Sequence, residues 1–88
     1  MLNELKRELE RITEDSSDKI SLILATYEAR LYTDGKSFYE GKISAEELKE
    51  KVQKYENICR KELLENIDRT LQRYRNAIEN FIKEQTSP

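Results

Sequence analysis

The stretch Glu40-Gly41-Lys42-Ile43-Ser44-Ala45-Glu46-Glu47-Leu48 decides the fold of this 88-residue chain. Gly41 suits the left-handed residue that closes a helix C-terminus, because it has no Cβ to clash. Ser44 and Glu47 spell a capping box: the serine hydroxyl accepts from an orphan N–H of the first turn while the glutamate reaches back. Ile43, one residue before the cap, is placed to staple onto Leu48. One helix therefore ends and another begins within a few residues, and so short a connection makes antiparallel neighbours.

Upstream of the turn, apolar residues recur in steps of three and four: Leu2, Leu5, Leu9, Ile12, Ser16, Ile20, Ile23, Tyr27, Leu31, Gly35 and Phe38. That is one face of an α-helix. Two places interrupt it. Glu14-Asp15-Ser16-Ser17-Asp18 is rich in residues that compete for backbone hydrogen bonds, so a break or bend near 14–18 is one expectation. Asp34-Gly35 is the other, although Tyr32, Phe38 and Tyr39 around it favour continuation to about residue 40. Downstream, Leu48, Val52, Tyr55, Cys59, Leu63, Ile67, Thr70 or Leu71, Tyr74, Ile78 and Phe81 form a second stripe. Glu47–Lys51, Glu50–Lys54, Glu56–Arg60, Glu65–Arg69 and Glu79–Lys83 each put an acid four residues before a base, worth about 0.2–0.5 kcal/mol per pair.

The prediction is an all-α chain of one domain, residues 1–88: a helix over 2–40, a turn over 41–44, a helix over 45–85 and a frayed end at 86–88. Folding about residues 42–43 sets Tyr27 near Ile58, Ile20 near Glu65, Ile12 near Arg73 and Leu5 near Asn80, so the stripes overlap along their whole length. The second stripe advances about 3.67 residues per turn and the first about 3.6, longer than the 3.5 of a left-handed coiled coil. Nearly straight helices follow.

Apolar residues make up 36% and charged residues 39% of the chain, against about 45–50% and 25% in typical globular domains. Disorder would explain that balance, but the regular spacing, the single proline and a net charge of -2 argue for a thin shape with much surface per residue instead. Usage of Lys, Arg and Glu with no His or Trp resembles a thermophile's. Cys59 is the only cysteine, which points to a reducing compartment and a small buried side chain. No apolar run approaches the ~18–20 residues of a membrane helix. The start Met1-Leu2-Asn3-Glu4-Leu5-Lys6-Arg7-Glu8 has neither a signal-peptide pattern nor the acid-poor character of a transit peptide, so the predicted location is cytoplasmic.

Chemistry finds few footholds. Without His, no Ser–His or Cys–His nucleophile pair can be built. The carboxylates at 14–18 lack the spacing and glycine of a calcium loop, and Gly35-Lys36-Ser37 spells no phosphate loop. No catalytic residue, metal site or cofactor is expected; a small-molecule enzyme would need a pocket lined by convergent Arg and Glu.

The stripes are wider than one partner helix requires. Around Ile20–Leu31 and Ile58–Ile82 apolar residues cover much of each helix, and a wide face asks for a second contact surface. The reading is a non-catalytic protein–protein interaction module or accessory subunit of a larger complex. Its simplest assembly is a homodimer forming a four-helix bundle. Leu24, Tyr27, Leu31, Leu63, Leu64, Leu71, Tyr74, Ile78 and Phe81 are the interface candidates. The alternative is a nucleic-acid-associated helical protein using Arg69, Arg73 and Arg75, with Tyr74 between two of the arginines. Negative net charge and mixed signs on the other polar faces weigh toward a protein partner. Tyr32, Phe38 and Tyr39 beside Ile43 suggest a small aromatic tip at the turn.

Overall fold

The computed structural model describes residues 2–86 as two long helices, α1 (Leu2–Tyr39) and α2 (Ala45–Thr86), packed as an antiparallel hairpin. Between them Gly41 adopts φ +76°. The Gly41 N–H donates to the Phe38 carbonyl at 3.0 Å and the Lys42 N–H to the Ser37 carbonyl at 2.8 Å. These two bonds are a Schellman closure, which needs the left-handed residue that only glycine takes without strain. The Ser44 hydroxyl then accepts from the Glu47 N–H at 3.1 Å and donates to the Glu47 carboxylate at 3.5 Å. Thr86, expected to fray, still lies in α2, while Met1, Ser87 and Pro88 fall outside the described residues.

The break or bend that residues 14–18 allow does not occur: α1 is continuous, as the predicted helix over 2–40 requires. Two of the polar side chains in that run, Asp15 and Ser16, are engaged across the hairpin instead. Ser16 Oγ donates to Asn66 Oδ1 at 2.9 Å and accepts from Thr70 Oγ1 at 2.9 Å. Asp15 accepts from Arg73 at 3.1 Å, and Thr13 bonds the Tyr74 hydroxyl. Tertiary partners here override a weak local propensity.

The seam has a regular step. In α1 it runs through Leu5, Leu9, Ile12, Ser16, Ile20, Ile23, Tyr27, Leu31, Asp34 and Phe38. In α2 it runs through Leu48, Val52, Tyr55, Cys59, Leu63, Asn66, Thr70, Tyr74, Ala77 and Phe81. Both advance by four, three and four, an eleven-residue repeat of 3.67 residues per turn that keeps a helix pair from winding left-handed. The residues central to each repeat carry the burial: Ile12, Ile23 and Asp34 in α1, Asn66 and Ala77 in α2, with Cys59 beside them. Asn66 and Ala77 therefore occupy the places that hydrophobicity alone gives to Ile67 and Ile78, and Asp34 takes that of Gly35.

Asp34 is the seam's weak point. Its Oδ1 lies 3.8 Å from Lys51 Nζ, while Oδ2 is shut from solvent without a hydrogen-bond partner. Lys51 is drawn across to it rather than to Glu47, whereas Glu56–Arg60 forms as an i,i+4 pair at 3.8 Å. A buried carboxylate oxygen left unpaired costs about 1–3 kcal/mol or more. Replacing Asp34 with Leu is accordingly expected to raise stability by about 1–3 kcal/mol, read as a shift of the urea midpoint with unchanged slope.

Candidate functional face

Two helices side by side make a slab, and the eleven-residue repeat assigns each side chain to one of its two broad faces. Next to the seam on one face stand Leu9, Ile20 and Leu31 from α1 and Val52, Leu63 and Tyr74 from α2. One step further out come Leu2, Thr13, Leu24 and Gly35, opposite Glu56, Ile67 and Ile78, with Leu71 and Ile82 at the outer edge of α2. The corresponding positions on the other face read Glu8, Lys19 and Arg30; Asp15, Thr26 and Ser37; Lys51, Glu62 and Arg73; Ile58, Arg69 and Asn80. One face is mainly apolar, interrupted by Thr13 and Glu56, and the other is mainly polar.

Side-chain contacts agree with this division. Leu24, Tyr27, Glu56, Cys59, Arg60, Leu63, Leu64 and Ile67 line one open groove of about 430 Å³ that crosses both helices on the apolar face. The Thr13–Tyr74 bond lies on that face too. On the polar face lie the Asp15–Arg73 ion pair and the Arg30 guanidinium, stacked 5.1 Å from the centre of the Tyr55 ring. A second shallow groove there is lined by Ala25, Thr26, Ala29, Arg30, Thr33, Asp34 and Tyr55.

All nine sequence-derived interface candidates reach the apolar face or its edge. Tyr27, Leu31, Leu63, Tyr74 and Phe81 are half-buried beside the seam, whereas Leu24, Leu64, Leu71 and Ile78 stand open at 41–56% exposure. Leu9, Ile20, Ile67 and Ile82 belong to the same surface and were not among the candidates; their eleven-residue spacing from Leu31, Ile78 and Leu71 is the signal that finds them. Apolar cover does not surround the helices: of the large exposed apolar side chains, Leu22 and Ile58 alone lie toward the polar face among the described residues. Tyr32, Phe38 and Tyr39 are all exposed near the turn.

The three arginines divide between faces. Arg69 and Arg73 lie on the polar face, with Arg73 held by Asp15, while Arg75 sits at the outer edge of α2 toward the apolar face. Among the described residues no group of three or more His, Cys, Asp or Glu side chains is placed to hold a metal ion, and no helix is long and apolar enough to cross a membrane. Comparison with protein-family models, with curated proteins and with solved structures returns no match.

Proposed function

We propose that this chain is a non-catalytic helical interaction module or accessory subunit, which works by burying its apolar face against another protein surface. The observation that carries this reading is the mismatch between mass and exposed surface. The hairpin exposes 7126 Å², whereas a compact monomer of 10.5 kDa exposes about 5,400 Å². Its radius of gyration is 20.0 Å, against about 12 Å for a compact chain of this length. Among the described residues only Ile12, Ile23, Cys59 and Ala77 form a buried apolar set, and twelve large apolar side chains remain exposed. A core that small is thin support for 88 residues, and an apolar face that long marks an interaction surface rather than a solvent boundary.

A nucleic-acid role draws less support, because Arg73 is already neutralised by Asp15 and Arg75 leaves the face that Arg69 and Arg73 share. If phosphates were nonetheless the target, an Arg69/Arg73/Arg75→Ala variant would lose a salt-dependent affinity. The primary test is light-scattering mass across a concentration series on a size-exclusion column, together with thermal melts of Leu64→Ala and Leu71→Ala. Coverage of the face predicts that each substitution lowers the melting temperature by several degrees, in line with about 1 kcal/mol per 4–8 °C. Unchanged melting and unchanged assembly in both variants would mean that this part of the face is bare in solution.

A further inference from the structure

The apolar face fixes where a partner docks, and the charges along its two edges bear on which partner it is. On α1 the edge beside the apolar face carries Glu10 and Glu28, with Lys6 at its N-terminal end. On α2 the corresponding edge carries Lys49, Arg60 and Arg75, with Glu56 one step nearer the apolar face. The α1 edge is net acidic and the α2 edge net basic. Glu28 and Arg75 have no ion-pair partner within the hairpin among the described residues, while Glu10 is 4.0 Å from Lys6 and Arg60 is 3.8 Å from Glu56. The levels of these charges also correspond. By the register that sets Asp15 against Arg73 and Thr13 against Tyr74, Glu28 lies at the height of Arg60 and Glu10 at the height of Arg75.

Resting on the interaction reading above, we infer that the occupant of the apolar face is a second copy of this chain. The two copies are related by a two-fold axis parallel to the helices, with both turns at the same end of a four-helix bundle. In that arrangement α1 of each copy lies over α2 of the other. The acidic edge meets the basic edge, so Glu28 faces the partner's Arg60 and Glu10 the partner's Arg75, each pair occurring twice. The other face-to-face two-fold arrangement puts the turns at opposite ends and lays α2 on α2. It sets basic edge on basic edge and acidic edge on acidic edge, and is disfavoured by like-charge repulsion at both rims. Area is sufficient: a face 70 Å by 18 Å offers roughly 1,200 Å² per copy, about 2,400 Å² in all, within the 2,000–5,000 Å² of obligate homodimers. The groove walled by Leu24, Leu63 and Ile67 gives the facing apolar side chains somewhere to seat.

The test combines a distance with a charge swap. Spin labels on Lys42→Cys, in a Cys59→Ala background, report where the two turns lie. Turns at the same end give a separation under about 30 Å, because packed helices are only 8–10 Å apart. A separation approaching the 70 Å length of the hairpin overturns the proposed arrangement. In the native background, Glu28→Arg should weaken dimerisation about tenfold, since it introduces two repelling pairs per dimer. Adding Arg60→Glu to the same chain should recover most of the loss. A reversal that leaves the dimerisation constant unchanged, or a loss that the second substitution deepens, counts against the pairing. A concentration-independent mass of one chain rejects the second copy but leaves the interaction reading intact. That reading fails separately, if Ile67→Lys leaves the solubility of the monomer unchanged, since an apolar face kept for a partner is what limits it.

Discussion

Ile12→Ala is expected to lower the stability of the hairpin by about 2–5 kcal/mol, the cost of removing a buried branched side chain and leaving its space incompletely filled. Ile12 is 2% exposed and stands at the centre of a seam repeat, one turn from the Ser16–Asn66–Thr70 hydrogen bonds. At 4–8 °C per kcal/mol for a domain of this size, the melting temperature should fall by more than about 10 °C. The loss should be large because so little else is buried: the seam has no other large apolar side chain as enclosed as Ile12, and Ile23 at 7% is the nearest. Calorimetry on Ile12→Ala beside Leu22→Ala provides the contrast. Leu22 is 61% exposed and lies toward the polar face, so its truncation should stay within about 0.5 kcal/mol. Equal effects at the two positions would mean that the helices do not meet along the seam described.

How much of this hairpin is legible in the chain depends on how local each signal is. The turn is written within nine residues, because left-handed closure demands Gly41 and the next N-terminus demands a capping side chain at Ser44. The two stripes are legible because their apolar steps repeat over ten turns. The seam's centre is less so. Asn66 and Ile67 are about 100° apart on one helix, and hydrophobicity chooses Ile67, whereas packing chooses the residue whose side-chain oxygen accepts from Ser16 across the interface. Ala77 and Ile78 repeat the same exchange one repeat later: the small residue lets the helices approach and the large one is turned out onto the face. Asp34 against Gly35 is a third case. What would have corrected all three is the strict four-three-four step. Residues 14–18 read as a possible break because the partners of Asp15 and Ser16 lie on the other helix, beyond the reach of local propensity.

The same exchange explains why the candidate face is apolar. By placing Asn66 and Ala77 at the seam, the fold moves Ile67 and Ile78 to the outside, 43% and 41% exposed. Surface isoleucines cost little singly, but these two align with Leu24, Leu71 and Ile82 into one strip. Polar atoms in the seam and apolar atoms on the face are two consequences of one register. A one-residue rotation of α2 would bury the isoleucines and strand Asn66, so the Ser16–Asn66–Thr70 bonds hold the register that keeps the face open.

Ile67→Lys is the sharpest probe of that face. On a bare helix surface the substitution is nearly neutral, within about 0.5 kcal/mol, since lysine is as good a helix former as isoleucine or better. Against a docked apolar surface it forces an ammonium group out of water with no acid opposite it, at a cost of about 3–5 kcal/mol per site. In a two-fold assembly the cost is incurred twice, so the dimerisation constant should weaken by at least a hundredfold. The expected result is a fall in light-scattering mass to one chain at micromolar concentration, with helical circular dichroism retained below the melting transition. Ile58→Lys makes the matched control. Ile58 is 37% exposed, close to Ile67 in both chemistry and exposure, but lies toward the polar face beside Arg30 and Glu62. A lysine there should leave the mass unchanged. Were Ile58→Lys to dissociate the assembly and Ile67→Lys to spare it, the interface would lie on the opposite face of the slab.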